Sequence, residues 1–183
     1  MNPANLITLG RVILVPVVFW LLVSGHLKGA FFLFMLAGVS DAVDGYLAKN
    51  FDWQTDLGAY LDPLADKLLI VSIFLALGVS AQLPSWIVVA VVARDFLIVA
   101  AVMMALLLGR PMRVRPILVS KANTVSQIVL AAVVMANGAF MLGLTTALQV
   151  LIWLTAALTL MSLAAYLRTW LMHMSGYESG EAG

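Results

Sequence analysis

The sequence predicts an all-α, polytopic membrane protein that forms a single bundle of six transmembrane helices. The prediction rests on composition and on apolar runs. The 183 residues are 63% apolar and only 10% charged, and long apolar runs recur along the chain. Soluble domains are nearer half apolar and a quarter charged. Without cysteine, disulfide and thiolate chemistry are excluded, and the net charge of +1 does not indicate a nucleic-acid partner.

Six stretches reach the roughly 20 residues that a membrane-spanning helix needs. They cover residues 5–24, 29–48, 58–80, 85–108, 122–143 and 146–170. Turn-forming residues separate them, among them Gly25, Pro84 and Gly143. Residues 1–173 are therefore predicted to form one membrane domain, followed by a short disordered tail at 174–183. The first apolar run is expected to be a retained helix rather than a signal peptide.

The positive residues of the loops predict the orientation of the bundle. Most of them fall on the side that carries both termini, and Lys28 falls on the opposite side. The cations of the two loops on the first side are Lys49, Arg110, Arg113, Arg115 and Lys121. Cytoplasmic loops carry an excess of lysine and arginine. Both termini are therefore expected in the cytoplasm, with the protein in a bacterial inner membrane.

The acidic residues are concentrated in one segment, SDAVDGYLAKNFDWQTDLGAYLDPLADK, residues 40–67. Asp41 and Asp44 end the second predicted helix, whereas Asp62 and Asp66 begin the third. Spacings of three and four residues place each pair on one helix face. Because a short loop returns the third helix antiparallel to the second, the four carboxylates are expected at one level of the membrane.

Four carboxylates in a partly dehydrated place repel one another unless cations compensate them. An oxygen-only ligand set favours a hard divalent ion, Mg²⁺ or Mn²⁺, and Mg²⁺ commonly shares carboxylates with substrate phosphates. Phosphoryl or phosphodiester chemistry is therefore indicated. Gly45, Ala48 and Gly58 would let a ligand approach the helix backbone, although small residues in membrane helices also serve close packing.

A cation- or proton-coupled transporter is the alternative from another functional class, since acidic residues inside membranes also form ion pathways. Transporters commonly have repeated halves with binding sites near the midplane. Here the acidic residues lie at one membrane face, and the second half of the chain has no matching cluster. The pattern favours an enzyme.

The arrangement Asp41-x2-Asp44-Gly45-x2-Ala48-Lys49-x8-Gly58-x3-Asp62-x3-Asp66 resembles the signature of the CDP-alcohol phosphotransferase family at every spacing. One position departs, because Lys49 stands where the family has arginine, which keeps the charge but loses the bidentate fork. The resemblance implies a homodimeric six-helix membrane enzyme whose active site opens to the cytoplasm. Such an enzyme uses a divalent metal and displaces CMP from a CDP-linked donor by an alcohol.

The resemblance also implies roles for individual residues. Asp41, Asp44 and Asp62 would be the main metal ligands, and Asp66 would be the general base with a peripheral metal contact. The N-terminal NPANLITLGR is similar to the N-x2-T-x2-R opening of the phosphatidyl-transferring branch. The residues expected to bind the CDP-linked donor are Gly45, Ala48, Lys49, Gly58, Asn5 and Thr8.

Two further segments narrow the resemblance. ARDFLIVAAV at 93–102 and RPILVSKANTVSQ at 115–127 resemble the mitochondrial and alphaproteobacterial type of cardiolipin synthase. This implies transfer of phosphatidyl from CDP-diacylglycerol to phosphatidylglycerol, which gives cardiolipin. Glycerol 3-phosphate, the acceptor of phosphatidylglycerophosphate synthases, is the alternative.

Arg94 lies near the middle of the fourth predicted helix, where a charge should face the bundle interior with a partner. Asp95 is adjacent and is offset by about 100° around the helix. A carboxylate on another helix is therefore the expected partner of Arg94. In the functional alternative, Arg94 helps to balance the acidic site.

A polar stripe formed by Lys121, Asn123, Thr124 and Gln127 continues from a basic loop into the fifth helix. Positive-inside topology explains the loop cations but does not require polar residues inside the membrane. The stripe therefore predicts a pocket for the acceptor's phosphate. The residues expected to bind the acceptor are Arg115, Lys121 and Arg94.

Overall fold

The computed structural model describes the backbone of residues 3–51, 56–107 and 118–178. It describes the side chains of residues 10, 13–40, 67–101, 103, 104, 107 and 118–172. Across the described backbone the chain forms six α-helices and no strand. The all-α prediction with six helices is therefore confirmed for these residues.

The helices are α1 Pro3–Val23, α2 Leu27–Phe51, α3 Asp56–Val79, α4 Ser85–Leu107, α5 Leu118–Phe140 and α6 Thr145–Glu178. Their bounds agree with the predicted ones to within about one helical turn, except that α6 ends later. The backbone of residues 174–178 continues α6, and 179–183 lie outside the described residues, so the disordered tail stays a prediction. No proline follows the last apolar turn, and extending a formed helix costs little.

The turns lie where glycine predicts them. Gly25 between α1 and α2 has a φ of +78°, and Gly143 between α5 and α6 has a φ of +69°. Glycine reaches this left-handed region without the penalty that a Cβ atom imposes. Beyond Gly25, the His26 amide donates to the Leu21 carbonyl at 2.8 Å, which satisfies a terminal carbonyl of α1.

The helix packing places α1 against α2 and α3, α4 against α3 and α6, and α5 against α2, α3 and α6. The largest fully buried apolar side chains include Val18, Leu22, Phe74, Leu77, Leu130 and Met135. Gly138 allows α5 to approach α2, since a Cβ atom there would lie 2.6 Å from Leu27 Cδ1. Close approach at small residues is how membrane helices gain packing energy without a hydrophobic driving force.

The outer surface of the described bundle is strongly apolar, with exposed side chains such as Trp20, Phe96 and Trp153. Large exposed apolar surfaces mark sites that contact membrane or protein. Two helical segments have the length and composition needed to cross a membrane, Leu118–Phe140 and Thr145–Met172. This count covers only the described residues.

Candidate functional site

The acidic signature lies on two helices, in the spacing that the sequence predicts. Asp41 and Asp44 belong to α2, and Asp62 and Asp66 belong to α3. Their side chains lie outside the described residues, so the metal and general-base assignments stay predictions. The same holds for the predicted donor-binding and acceptor-binding residues Gly45, Ala48, Lys49, Gly58, Asn5, Thr8 and Arg115. Among the described side chains, no group of three or more Asp, Glu or His residues could hold a metal ion.

One residue beyond Asp66, a polar cavity of about 240 Å³ opens between α3, α4, α5 and α6. The side chains that line it are Lys67, Ile70, Arg94, Asp95, Ile98, Ser120, Thr124, Gln127 and Tyr166. Seven of the nine carry a polar or charged group, in a bundle whose surface is apolar. The cavity is therefore the polar site nearest in sequence to the acidic signature within the described part of the chain.

Arg94 is the centre of this cavity wall and is only 3% exposed. One terminal nitrogen, Nη1, donates to the carboxylate of Asp95. The other, Nη2, donates to Ser120 Oγ of α5 at 2.6 Å and to Ser162 Oγ of α6. The guanidinium also lies over the ring of Tyr166, 5.7 Å from its centroid, a favourable cation–π geometry. Arg94 thus joins α4 to α5 and α6.

Within the described part of the chain, Arg94 does not pair with a carboxylate on another helix, contrary to the expectation from the sequence. Its partner is Asp95, the next residue. The backbone offset of about 100° between neighbours does not prevent the pair, because the long arginine side chain folds back to meet the shorter aspartate. Among the described side chains, the cross-helix partners of Arg94 are the hydroxyl groups of Ser120 and Ser162.

Asp95 also faces a second cation. Its Oδ1 lies 4.0 Å from Nζ of Lys67 on α3, and the Lys67 side chain is 40% exposed while that of Asp95 is 9% exposed. Asp95 thus faces two cations, and Lys67, Arg94 and Asp95 together carry a formal charge of +1. Lys67 directly follows Asp66, the last residue of the acidic signature. A positive cavity of this kind attracts phosphate or carboxylate groups.

The polar stripe predicted on α5 divides between two faces of the helix. Thr124 and Gln127 line the cavity, and Asn123 is buried against α6, where Thr159 Oγ1 donates to its Oδ1 at 2.9 Å. Lys121 is exposed and does not line the cavity. Neighbours on a helix diverge by about 100°, so a contiguous polar run cannot occupy a single face. Lys121 as an acceptor ligand stays a prediction.

Buried polar contacts fix α5 against α6 below the cavity. Ser126 Oγ and Thr155 Oγ1 are 2.6 Å apart, and either can donate. Gln127 Nε2 and Asn123 Nδ2 are buried without a hydrogen-bond partner in the described structure. Buried donors are normally paired, and Gln127 also belongs to the cavity wall.

Sequence reasoning missed several residues of this cavity. Lys67 was visible as a lone cation within an apolar helix, a feature that indicates function inside a membrane. Ser120 and Tyr166 of the cavity, and Ser162, which accepts from Arg94, carried no such signal, because their role depends on the packing of α4 against α5 and α6. Only the three-dimensional arrangement identifies them.

The comparison with known families agrees with the signature. The profile described as CDP-alcohol phosphatidyltransferase matches residues 1–172. The chain belongs to the CDP-alcohol phosphatidyltransferase family. The predicted resemblance is therefore confirmed, and the signature on α2 and α3 lies inside the matched region.

Relatives within the CDP-alcohol phosphatidyltransferase family carry the names of both predicted activities. A rice chloroplastic CDP-diacylglycerol–glycerol-3-phosphate 3-phosphatidyltransferase 1 is 34% identical over 184 residues, covering 91% of this chain and 56% of its own length. Human cardiolipin synthase (CMP-forming) is 30% identical over 178 residues, covering 88% of this chain and 59% of its own length. The chain thus spans less than two-thirds of either relative.

Proposed function

We propose that this chain is a metal-dependent phosphatidyltransferase that moves phosphatidyl from CDP-diacylglycerol to an acceptor hydroxyl and releases CMP. The observation that carries the proposal is the complete acidic signature, spaced as in the family, on two consecutive helices. Relatives of this chain are named for that transfer, with glycerol 3-phosphate or cardiolipin in their names.

The donor set of the signature fits a divalent cation. Asp41, Asp44 and Asp62, with a peripheral contact from Asp66, offer only carboxylate oxygens, which suit Mg²⁺ or Mn²⁺. Their helical spacings of three and four residues place each pair on one face of its helix. When bound, the metal would neutralise the donor's diphosphate and stabilise the departing CMP.

The remaining chemistry belongs to side chains of this protein. Asp66 accepts the proton of the acceptor hydroxyl as its oxygen attacks the phosphorus that bears diacylglycerol. A new phosphorus–oxygen bond forms, the bond from that phosphorus to the bridging diphosphate oxygen breaks, and CMP leaves with the electron pair. Lys49 contacts a donor phosphate, while Gly45, Ala48 and Gly58 leave space for cytidine and diphosphate, with Asn5 and Thr8 nearby.

Phosphatidylglycerol is the proposed acceptor, which makes cardiolipin the product, and glycerol 3-phosphate is the runner-up. Both carry a phosphate, which suits the positive cavity. Lys67 and Arg94 supply its cations, although Asp95 neutralises one of them. Lys121 is exposed near the start of α5 and adds a further positive charge, and Arg115 is also proposed to bind the acceptor. The resemblance of 93–102 and 115–127 to cardiolipin synthases supports phosphatidylglycerol.

The enzyme is proposed to be integral to the membrane, with all six helices spanning it and both termini in the cytoplasm. The apolar surface and the two span-length helices support this arrangement, as does the bias of loop cations. A bacterial inner membrane and a homodimer complete the proposal.

Purified protein in mixed micelles tests the proposal. CDP-diacylglycerol labelled in cytidine is supplied with phosphatidylglycerol or glycerol 3-phosphate in parallel, and CMP and the lipid product are measured. Acceptor-dependent CMP release with an equal amount of cardiolipin is expected. Absence of CMP release with either acceptor would overturn the proposed reaction, and release only with glycerol 3-phosphate would overturn the acceptor.

A further inference from the structure

A second cavity of about 320 Å³ lies between α4 and α6 and is almost entirely apolar. Its walls include Leu97, Ala101 and Met104 of α4 and Leu163, Leu167 and Trp170 of α6. We refer to this cavity as the α4–α6 groove. Its volume is at the lower end of the ~300–1,000 Å³ typical of small-molecule sites.

The α4–α6 groove is continuous in its lining with the polar cavity. Ile98 and Tyr166 line both of them. Tyr166 holds its ring against the Arg94 guanidinium on one side and borders the apolar groove on the other. The apolar groove therefore borders a cavity whose formal charge is positive.

Trp170, one of the residues that line the groove, carries an unpaired polar atom. The indole Nε1 of Trp170 is buried and has no hydrogen-bond partner in the described structure. A buried tryptophan N–H usually finds a partner, and leaving it unpaired is unfavourable. A ligand that presents an acceptor oxygen beside an apolar chain would satisfy this atom.

We propose that the α4–α6 groove holds an acyl chain and its ester linkage when the acceptor lipid, an anionic diacyl phospholipid, places its head group in the polar cavity. This inference rests on the proposed function and adds the route by which a lipid acceptor reaches the site. The apolar walls match the chain, the Trp170 N–H matches an ester carbonyl, and the cations match the phosphate. A water-soluble acceptor could match only the cations, because it has neither an acyl chain nor an acyl ester carbonyl.

A second copy of this chain fits the groove less well. A specific protein interface buries about 800 Å² on each partner, whereas the feature here is a concavity between two helices that ends at a charged cavity. A helix from another copy would have to present an anion at that end and an acceptor oxygen to Trp170. A phospholipid carries both groups already.

The α3–α4 side of the bundle offers a matched control. An apolar cavity of about 320 Å³ lies there, lined by Leu75, Val88, Val89, Val92, Ala93 and Phe96, and it shares no residue with the polar cavity. Ala93 and Ala101 both belong to α4. The same change at each residue, Ala93→Phe and Ala101→Phe, therefore fills cavities of equal size with different neighbours.

Kinetics in mixed micelles give the first test, with one substrate varied at a time. Ala101→Phe should raise the apparent KM for phosphatidylglycerol about tenfold, the cost of displacing about two buried methylene groups. It should leave the KM for CDP-diacylglycerol within twofold, and Ala93→Phe should change neither. A rise for CDP-diacylglycerol instead would assign the groove to the donor, and a change in dimer fraction alone would assign it to a second copy. Either result overturns the inference.

A binding readout separates this inference from the proposed reaction. Phosphatidylglycerol with a diazirine in one acyl chain is photolysed with the purified protein, and labelled peptides are identified by mass spectrometry. Labelling of residues 97–104 and 163–170 is expected, with loss on adding unlabelled phosphatidylglycerol and in Ala101→Phe but not in Ala93→Phe. Labelling that is unchanged in Ala101→Phe would show that the acyl chain does not bind in the α4–α6 groove. Failure of the proposed reaction would be seen separately, as absence of CMP release by the wild-type enzyme.

Discussion

Asp95 Oδ1 lies 4.0 Å from Nζ of Lys67, the residue that directly follows the proposed general base Asp66. The same carboxylate accepts a hydrogen bond from Arg94, whose guanidinium reaches hydroxyl groups on α5 and α6. Asp95 thereby connects the helix that carries the base to three other helices. A shift of this carboxylate would alter both cations of the polar cavity.

The buried pair predicts an unequal effect of two substitutions on stability. Asp95→Asn leaves Arg94 buried without a counter-charge and should destabilise the fold by about 3–5 kcal/mol. Lys67→Met removes a partner that is 40% exposed and should cost no more than about 1 kcal/mol. Thermal unfolding of the detergent-solubilised protein, followed by tryptophan fluorescence, measures both.

A double variant provides the control for that comparison. Arg94→Met with Asp95→Leu replaces the whole pair by apolar groups and should recover most of the stability lost in Asp95→Asn, because a buried pair and an apolar substitute are often equivalent. If Asp95→Asn unfolded at the same temperature as Lys67→Met, the pair would have no structural role.

Substitution of the proposed general base and substitution of a proposed metal ligand should have different kinetic effects. Asp66→Asn should lower the rate of CMP release by about 10² to 10⁴-fold, the usual contribution of general-base catalysis, with donor binding largely retained. Asp44→Asn should weaken metal and donor binding as well. Binding of CDP-diacylglycerol is measured by equilibrium methods and turnover by CMP release. A near wild-type rate for Asp66→Asn would show that another group takes the proton.

Two lysines should differ in their effect on the acceptor. Lys67 lines the polar cavity, so Lys67→Gln should raise the KM for the acceptor about tenfold or more, as loss of a charged hydrogen bond predicts. Lys121 is exposed, so Lys121→Ala should raise it by no more than about fivefold, the range of exposed ion pairs. Both should leave the KM for CDP-diacylglycerol nearly unchanged.

Lys28 gives the control for the lysine series, because it is exposed at the start of α2 and lines no part of the polar cavity. Lys28→Ala should have the same KM as the wild-type enzyme for the acceptor and for CDP-diacylglycerol. An equal rise for donor and acceptor in Lys121→Ala, or no change in either, would remove Lys121 from the acceptor site. An unchanged KM for the acceptor in Lys67→Gln would show that the polar cavity does not bind the acceptor.

The helices were predictable because their apolar runs are long and end at glycine or proline. Gly25 and Gly143, for example, take the left-handed conformations that end α1 and α5. The cavity was predictable only in part. Arg94 was placed inside the bundle correctly, but its partner depends on how a flexible side chain folds back, which helical spacing does not specify.

The polar stripe on α5 is a second case in which the sequence did not specify the position of a side chain. Lys121 and Thr124 are three residues apart, yet one is exposed and the other lines the cavity. Which face of α5 turns inward is set by its contacts with α2, α3 and α6, and these join residues far apart in the chain. The sequence of a single helix therefore identifies its polar positions but does not show which of them face the cavity and which are exposed.

The acidic signature of α2 and α3 is proposed to be a metal-dependent site of phosphatidyl transfer. The most direct measurement follows CMP and lipid product together, from CDP-diacylglycerol and phosphatidylglycerol, in protein treated with EDTA and then supplied with Mg²⁺ or Mn²⁺. EDTA should abolish both products, and either ion should restore them in equal amounts. Full activity in exhaustively chelated protein would contradict the account.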